Sequence, residues 1–439
     1  MELVRIIGAG LAGSECALYL AERGVKVKLY DIKPRAKSPA HKSDNFAELV
    51  CSNSLKSNDI YGNACGLLKE EMRLLGSAVI EIADKTKVPA GNALAVNRDD
   101  FSSLITERIK SNPNIEVVCE EVKSLDSVAF DGTVVIATGP LTTSDLFDDI
   151  QKLTDGHMFF YDAAAPIVSA ESIDMSSAFV ADRWGKGNGD HINCPMNKDE
   201  YLEFIKELTN AERAPQKDFE NSAVFEGCMP VEVMASRGED TLRFGPLKPA
   251  GLTDPKTGRW PYACLQLRRE DKDGNMYNLV GFQTNLLWGE QKRVFGIIPA
   301  LKNAEYFRYG VMHRNTYLNA PSILNADFSL KANGKVFFAG QITGVEGYVE
   351  STASGLLVAI NILRHLKGLE SLSLDNQTVL GALSNYIAMP NPDFQPMNAN
   401  FGILGGIEMK KKDKALKKRL QAERSLEIIK ELSLSLNKE

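Results

Sequence analysis

The chain is poor in the residues that staple a fold together or hold a metal. Its seven cysteines are scattered and odd in number, with no Cys-x-x-Cys pair. That argues against a disulfide framework or a structural zinc, and for a reducing, cytoplasmic setting. The five histidines lie far apart and show no His-x-x-x-His spacing, so no metal centre is expected. No apolar run is long enough to cross a bilayer, and Met1 leads almost directly into a strand-like segment. No membrane partner and no leader peptide are therefore expected. Excess positive charge is missing too. The net charge of -6 excludes a globally basic nucleic-acid binder, and no DNA partner is expected, but a local basic patch remains open.

What remains is a soluble globular composition, 44% hydrophobic and 25% charged. At 439 residues the chain is too long for one small core, so two domains, or one interrupted by an insertion, are expected.

The most informative stretch is the turn Gly8-Ala9-Gly10-Leu11-Ala12-Gly13. It follows the β-branched run Leu3–Ile7 and opens a helix-like segment, Leu11 to Arg23. A second strand-like run from Val25 then closes on Asp31. This is a dinucleotide fingerprint in its required context. The first glycine permits the tight turn, the second admits the pyrophosphate to backbone N–H groups, and the third lets helix pack on strand. The helix N-terminus favours the phosphates, and Asp31 can accept a ribose hydroxyl.

Downstream, a polar stretch from Lys33 to Asn63 is longer than most loops in compact domains unless it serves a site. Asn63 to Leu75 and Asn97 to Lys110 read as helices, and Ile115 to Cys119 as a strand. Thr133 to Ala137 reads as a buried strand ending in Thr138-Gly139-Pro140. A strand with that ending is similar to those that pass the cofactor in flavoproteins with two dinucleotide-binding domains, which makes Gly139 a cofactor candidate. From about residue 159 to 319 short strand-like runs with frequent Gly and Pro suggest an inserted α+β domain, because the first pattern returns at Lys335–Ala339. There a strand runs into Gly340-Gln341-Ile342-Thr343-Gly344-Val345-Glu346-Gly347-Tyr348 and a helix rich in small residues. This arrangement resembles the way glutathione-reductase-like FAD domains close over the flavin, with the helix dipole facing it. Gly340, Gln341 and Gly347 are thus further cofactor candidates, with Gln341 in place of the usual Asp. No second Gly-x-Gly-x-x-Gly follows, since Gly185 to Gly189 has the wrong spacing. One nucleotide is expected to bind durably, FAD rather than NAD. The expected fold is α/β: a glutathione-reductase-like Rossmann domain split over 1–158 and 320–400, an insertion over 159–319, and a basic helical tail over 401–439.

Cys16, Cys119 and Cys264 sit in regular apolar segments and read as core residues. Cys65 and Cys194 are undecided. Cys51, in Val50-Cys51-Ser52-Asn53-Ser54-Leu55-Lys56-Ser57, and Cys228, in Glu226-Gly227-Cys228-Met229-Pro230, lie in polar or irregular surroundings where a thiolate can form.

These two strings resemble those of the folate- and FAD-dependent tRNA (uracil-5-)-methyltransferases. The likeness extends through Asp240-Thr241-Leu242-Arg243-Phe244-Gly245-Pro246-Leu247-Lys248-Pro249, Arg308 to Thr316 and Gly344 to Ser351, and spans Met1 to about Gly402. It implies an enzyme in which FAD, reduced by NAD(P)H, takes a methylene from 5,10-methylenetetrahydrofolate and passes it to a T-loop uridine at C5. The residue chemistry agrees. Uracil C5 is a poor nucleophile until a thiolate adds at C6, and the transferred methylene must then be reduced. By the resemblance Cys228 attacks C6, Cys51 moves the C5 proton or guards the flavin-borne carbon, and Tyr348 lies at the flavin and can stack on the uracil. Arg243, Lys248, Arg268, Arg269, Lys292, Arg293, Arg308 and Arg314 could meet RNA phosphates or the folate tail, although such charges are more often paired or solvated. The Lys410–Arg419 run reads as an RNA patch or a solvated helix. Gly405-Gly406 stands where a proline pair belongs in the family, which keeps a ribosomal RNA uridine as an alternative target. The rivals are the wobble-uridine FAD enzyme, which has a further helical C-terminal domain, a small-molecule FAD/NAD(P)H oxidoreductase, and a non-catalytic flavin- or RNA-binding protein.

Overall fold

A computed structural model of the chain describes all residues except 1, 39, 129–131, 155–156, 188, 215–228, 270–273, 392–393, 395 and 409–412, and only the backbone of 157–164 and 311–316. The fingerprint strand Leu3–Ile7 is central in a six-stranded sheet. It pairs in parallel with Lys26–Asp31 on one side and Val134–Ile136 on the other. Ile115–Cys119 extends the sheet beyond Lys26–Asp31, and Asn333–Phe338 beyond Val134–Ile136. Ser329–Leu330 closes that second edge in antiparallel. Val134–Ile136 is wholly buried and apolar, as a strand covered on both faces of a parallel sheet should be, whereas Leu3–Ile7 and Lys26–Asp31 interleave buried apolar residues with Arg5, Lys26 and Lys28.

Leu11–Ala21 and Tyr348–Leu366 cross in close contact over this sheet. The approach is set by Gly355, where a Cβ would lie 2.2 Å from the Ala12 carbonyl oxygen. Such an approach admits no side chain. Asn63 and Asn97 cap the helices Ala64–Leu74 and Arg98–Ser111, each accepting a backbone N–H at its side-chain oxygen.

A second, antiparallel sheet runs in the order Phe179–Val180, His191–Met196, Ala263–Arg269, Met276–Leu279, Ile167–Ser169, Tyr306–Arg308. It has its own core, including Val168, Met196, Phe204, Leu265, Phe282 and Phe295. The first core draws on residues from Val4 to Ile150 and again from Tyr317 to Ile429. Between the two, His157–Ala164 pairs with Val311–Leu318 in antiparallel.

The Lys414–Leu436 helix is not a free tail. It buries Gln421, Ala422, Ser425 and Ile429 against the first core, and Ser425 Oγ donates to Glu71 Oε1 at 2.5 Å. Of the basic run, 410–412 lie outside the described residues.

Candidate functional site

The glycine turn needs its glycines for three separate reasons. Gly8 has φ +101°, and a Cβ there would lie 2.5 Å from the Ala137 carbonyl oxygen. At Gly13 a Cβ would meet the Gly8 carbonyl oxygen at 1.8 Å. Gly10 has nothing within 4 Å of its Cβ position, because it faces an open cleft. The helix that follows has no side-chain cap and no acid in its first turn, so its leading N–H groups remain available to an anion. Asp31 locks the turn: Oδ2 accepts the Ala9 N–H at 2.7 Å and Oδ1 the Lys33 N–H at 2.9 Å.

The cleft encloses about 1200 Å³ including its mouth. Gly8, Ala9, Gly10, Leu11, Ala12, Asp31, Gly139, Gly340, Gln341 and Tyr348 all line it. Gly13 is a packing glycine behind the lining. Gly347 is also set apart from it, beside the Lys56–Glu350 ion pair of 2.9 Å. Gln341 donates from Nε2 to Glu346 Oε2 at 2.9 Å. An uncapped helix start, an open Gly10 and a cleft whose lining includes Asp31 fit a dinucleotide such as FAD.

Three lining residues carry no motif in the sequence. Lys33 is buried, and its Nζ donates to the Asn45 carbonyl at 2.7 Å and to Glu48 Oε2 at 2.8 Å. Burial, and then the charge of Lys33, hold the His41 imidazole below the usual histidine range, so it faces the cleft neutral.

Tyr348, in the lining of the cleft, meets a residue 297 positions away, Cys51. Tyr348 Oη accepts the Cys51 N–H at 2.7 Å and the Ser52 N–H at 3.3 Å. With both acceptor positions occupied, its own hydrogen is directed to Cys51 Sγ, 2.7 Å away. Burial, reinforced by the neighbouring cysteine, pushes the phenol well above the usual tyrosine range. It therefore stays an O–H donor. A thiolate at Cys51 would be stabilised by that bond.

The loop carrying Cys51 is held from the second sheet. Arg308 donates to the Val50 carbonyl at 2.8 Å and the Cys51 carbonyl at 3.3 Å, and Arg268 to Ser52 Oγ at 2.6 Å and Asn53 Oδ1 at 3.2 Å. Asn53 returns a bond from Nδ2 to the Arg269 carbonyl at 2.7 Å. On the other side the buried Lys69 donates to the carbonyls of Leu55 and Ser57, both at 2.7 Å.

Of the arginines considered for RNA, Arg243 pairs with Asp240 and Arg293 with Glu290 and Glu207, while Arg268 and Arg308 brace the thiol loop. The side chain of Arg314 and the whole of Cys228 lie outside the described residues. Cys16, Cys65, Cys194 and Cys264 are buried free thiols. Cys119 departs from its expected core position: it is half-buried at the end of an outer strand.

The model of the family described as glucose inhibited division protein A matches residues 3–370. Among curated proteins, the methylenetetrahydrofolate–tRNA-(uracil-5-)-methyltransferase TrmFO of Acetivibrio thermocellus is 55% identical over 433 residues, 98% of each chain. That of Caldicellulosiruptor bescii is 56% identical over 436 residues, 99% of each chain. Among solved structures, GidA of Aquifex aeolicus superposes with a TM-score of 0.71 at 16% identity, covering 99% of this chain and 76% of that one. A second crystal form gives 0.70 at 15%. These two similarities establish the fold alone.

Proposed function

The chain belongs to the glucose inhibited division protein A family, and from that premise we propose how its own residues carry out the reaction borne in its relatives' names. It is a folate- and FAD-dependent tRNA (uracil-5-)-methyltransferase, taking its one-carbon unit from 5,10-methylenetetrahydrofolate. Bound FAD supplies the redox chemistry, the electrons that turn the transferred methylene into a methyl group. NAD(P)H is the reductant we assign.

Gly8 to Gly13 and the uncapped helix start would hold the pyrophosphate, and Asp31 the ribose. Gly139, Gly340 and Gln341 line the same cleft and would face the rest of the cofactor.

The observation that carries the catalytic assignment is the Tyr348–Cys51 contact at the lip of that cleft. We assign Cys51 Sγ to take the proton leaving uracil C5, with the Tyr348 O–H stabilising the thiolate that receives it. Cys228 we assign to attack on C6, on the strength of its sequence context. Addition there gives an enolate nucleophilic at C5. C5 then bonds to the one-carbon unit and gives up its proton to Cys51. Once that carbon has been reduced to a methyl group with the hydride the flavin would supply, expulsion of the Cys228 thiolate restores the C5–C6 double bond. The two cores support a split first domain with an insertion between its halves. We place the enzyme in the cytoplasm. Its described cysteines are unpaired, and no helix among the described residues is long and apolar enough to cross a membrane.

The test supplies the holoenzyme with NADH, labelled methylenetetrahydrofolate and unmodified tRNA or 23S rRNA transcripts. Label is expected in tRNA at uridine C5, and lost with Cys228→Ser or Cys51→Ser. Label confined to rRNA would reassign the substrate. NADH oxidation without label in either RNA would favour a small-molecule oxidoreductase.

A further inference from the structure

Three aromatic rings form a column at the edge of the second sheet. Tyr306 and Tyr309 stack with centroids 4.9 Å apart and planes 11° from parallel. Trp288 stacks on Tyr309 at 5.4 Å, again at 11°. The two tyrosines are partly buried, whereas Trp288 is 63% exposed. The column thus ends on an indole with one face covered by Tyr309 and the other open.

Its position is fixed. The buried Gln291, in the helix Trp288–Phe295, donates to the Gly310 carbonyl at 2.9 Å and accepts the Gly310 N–H at 2.7 Å. That pins the helix to the chain one residue beyond Tyr309. One residue before Tyr309, Arg308 holds the carbonyls of Val50 and Cys51. The column and the thiol loop therefore share a single anchoring segment.

Charge points the same way. Lys292 follows Trp288 by four residues, on the same helix face. It is exposed and joins no ion pair among the described residues, whereas Arg293 beside it is neutralised by Glu290 and Glu207. An open π-face next to an unpaired cation suits an unpaired nucleobase and its phosphate. A uridine turned out of an RNA loop leaves neighbours that have lost a stacking partner.

We propose that Trp288 is a stacking seat for an unpaired base of the RNA substrate, with Lys292 meeting a flanking phosphate. The proposal rests on the tRNA methyltransferase reading above. It is tested with the flavin-loaded enzyme and an unmodified tRNA transcript, by measuring Kd together with KM and kcat for methylation. Trp288→Ala and Trp288→Leu should each weaken binding about tenfold or more, with flavin content and anaerobic flavin reduction by NADH unchanged. Trp288→Phe, which keeps a ring, should stay within about threefold. Lys292→Ala should lower the slope of log Kd against log salt by about one. Wild-type Kd and KM in Trp288→Leu would overturn the seat while leaving the methyltransferase reading intact. Absence of label in wild-type tRNA would overturn that reading itself.

Discussion

The contact between Tyr348 and Cys51 makes a backbone-bound phenol a direct proton partner of the thiol. Its oxygen is saturated by two amide hydrogens, so its own hydrogen has one place to go. Tyr348→Phe removes that donor and leaves two amides without an acceptor, a local cost of about 1–3 kcal/mol. A thiolate without its hydrogen bond is harder to form, so the acid limb of the pH–rate profile should move to higher pH. The rate at neutral pH should fall about tenfold or more. Single-turnover methylation across pH, normalised to bound flavin, measures this. An unchanged profile would remove Tyr348 from the proton-transfer step.

At the scale of elements, the helix Tyr348–Leu366 is the part on which the site depends. Its first residue meets Cys51, and its Gly355 rests on the Ala12 carbonyl of the fingerprint helix. Gly355→Ala forces the two helices apart and should destabilise the fold by about 2 kcal/mol or more, with weakened flavin retention. Thermal melting with and without added FAD tests it; a melting point within a degree of wild type would refute the close packing.

Much at this scale was legible in the residues. Leu3–Ile7 and Ile115–Cys119 are strands at their expected bounds, and the helices expected from Asn63 and Asn97 start one residue later, with those asparagines outside them as caps. Those features follow from local periodicity and local hydrogen bonding. The strand Ser54–Ser57 inside the long polar stretch was not legible, because it exists only by pairing with Ala93–Val96. Nor was the bracing of the thiol loop. Arg308 and Arg268 reach it from 258 and 216 residues away, and no spacing rule announces a guanidinium bound for a distant carbonyl.

On the scale of the whole molecule, two fully buried carboxyls tie helices together. Glu15 accepts from Ser77 Oγ, Ala78 N and Val79 N. Glu71 accepts from Val379 N, Leu380 N and Ser425 Oγ, joining three helices of the first core. Burial outweighs these bonds and pushes each carboxyl up to about 7. With the folded value above the unfolded one of 4.5, the protonated form favours the fold. That stability is full below about pH 4.5 and is lost as pH rises through 7, on the order of 3 kcal/mol for each group. Glu71→Gln cannot titrate. The stability gap between wild type and this variant should therefore be widest near pH 5 and narrow by pH 8, as denaturant titrations at several pH values would show. A pH-independent gap would mean that Glu71 is ionised throughout.

Tyr348 and Gly355 stand seven positions apart, close to two full helical turns, so both project from one side of the same rod. Adding or deleting a single amino acid between them would rotate the phenol about 100° away from the sulfur while leaving the glycine seated. Loops elsewhere in the chain can lengthen over evolutionary time. This interval cannot, and it acts as a fixed ruler between the grip on the nucleotide and the position of the proton acceptor.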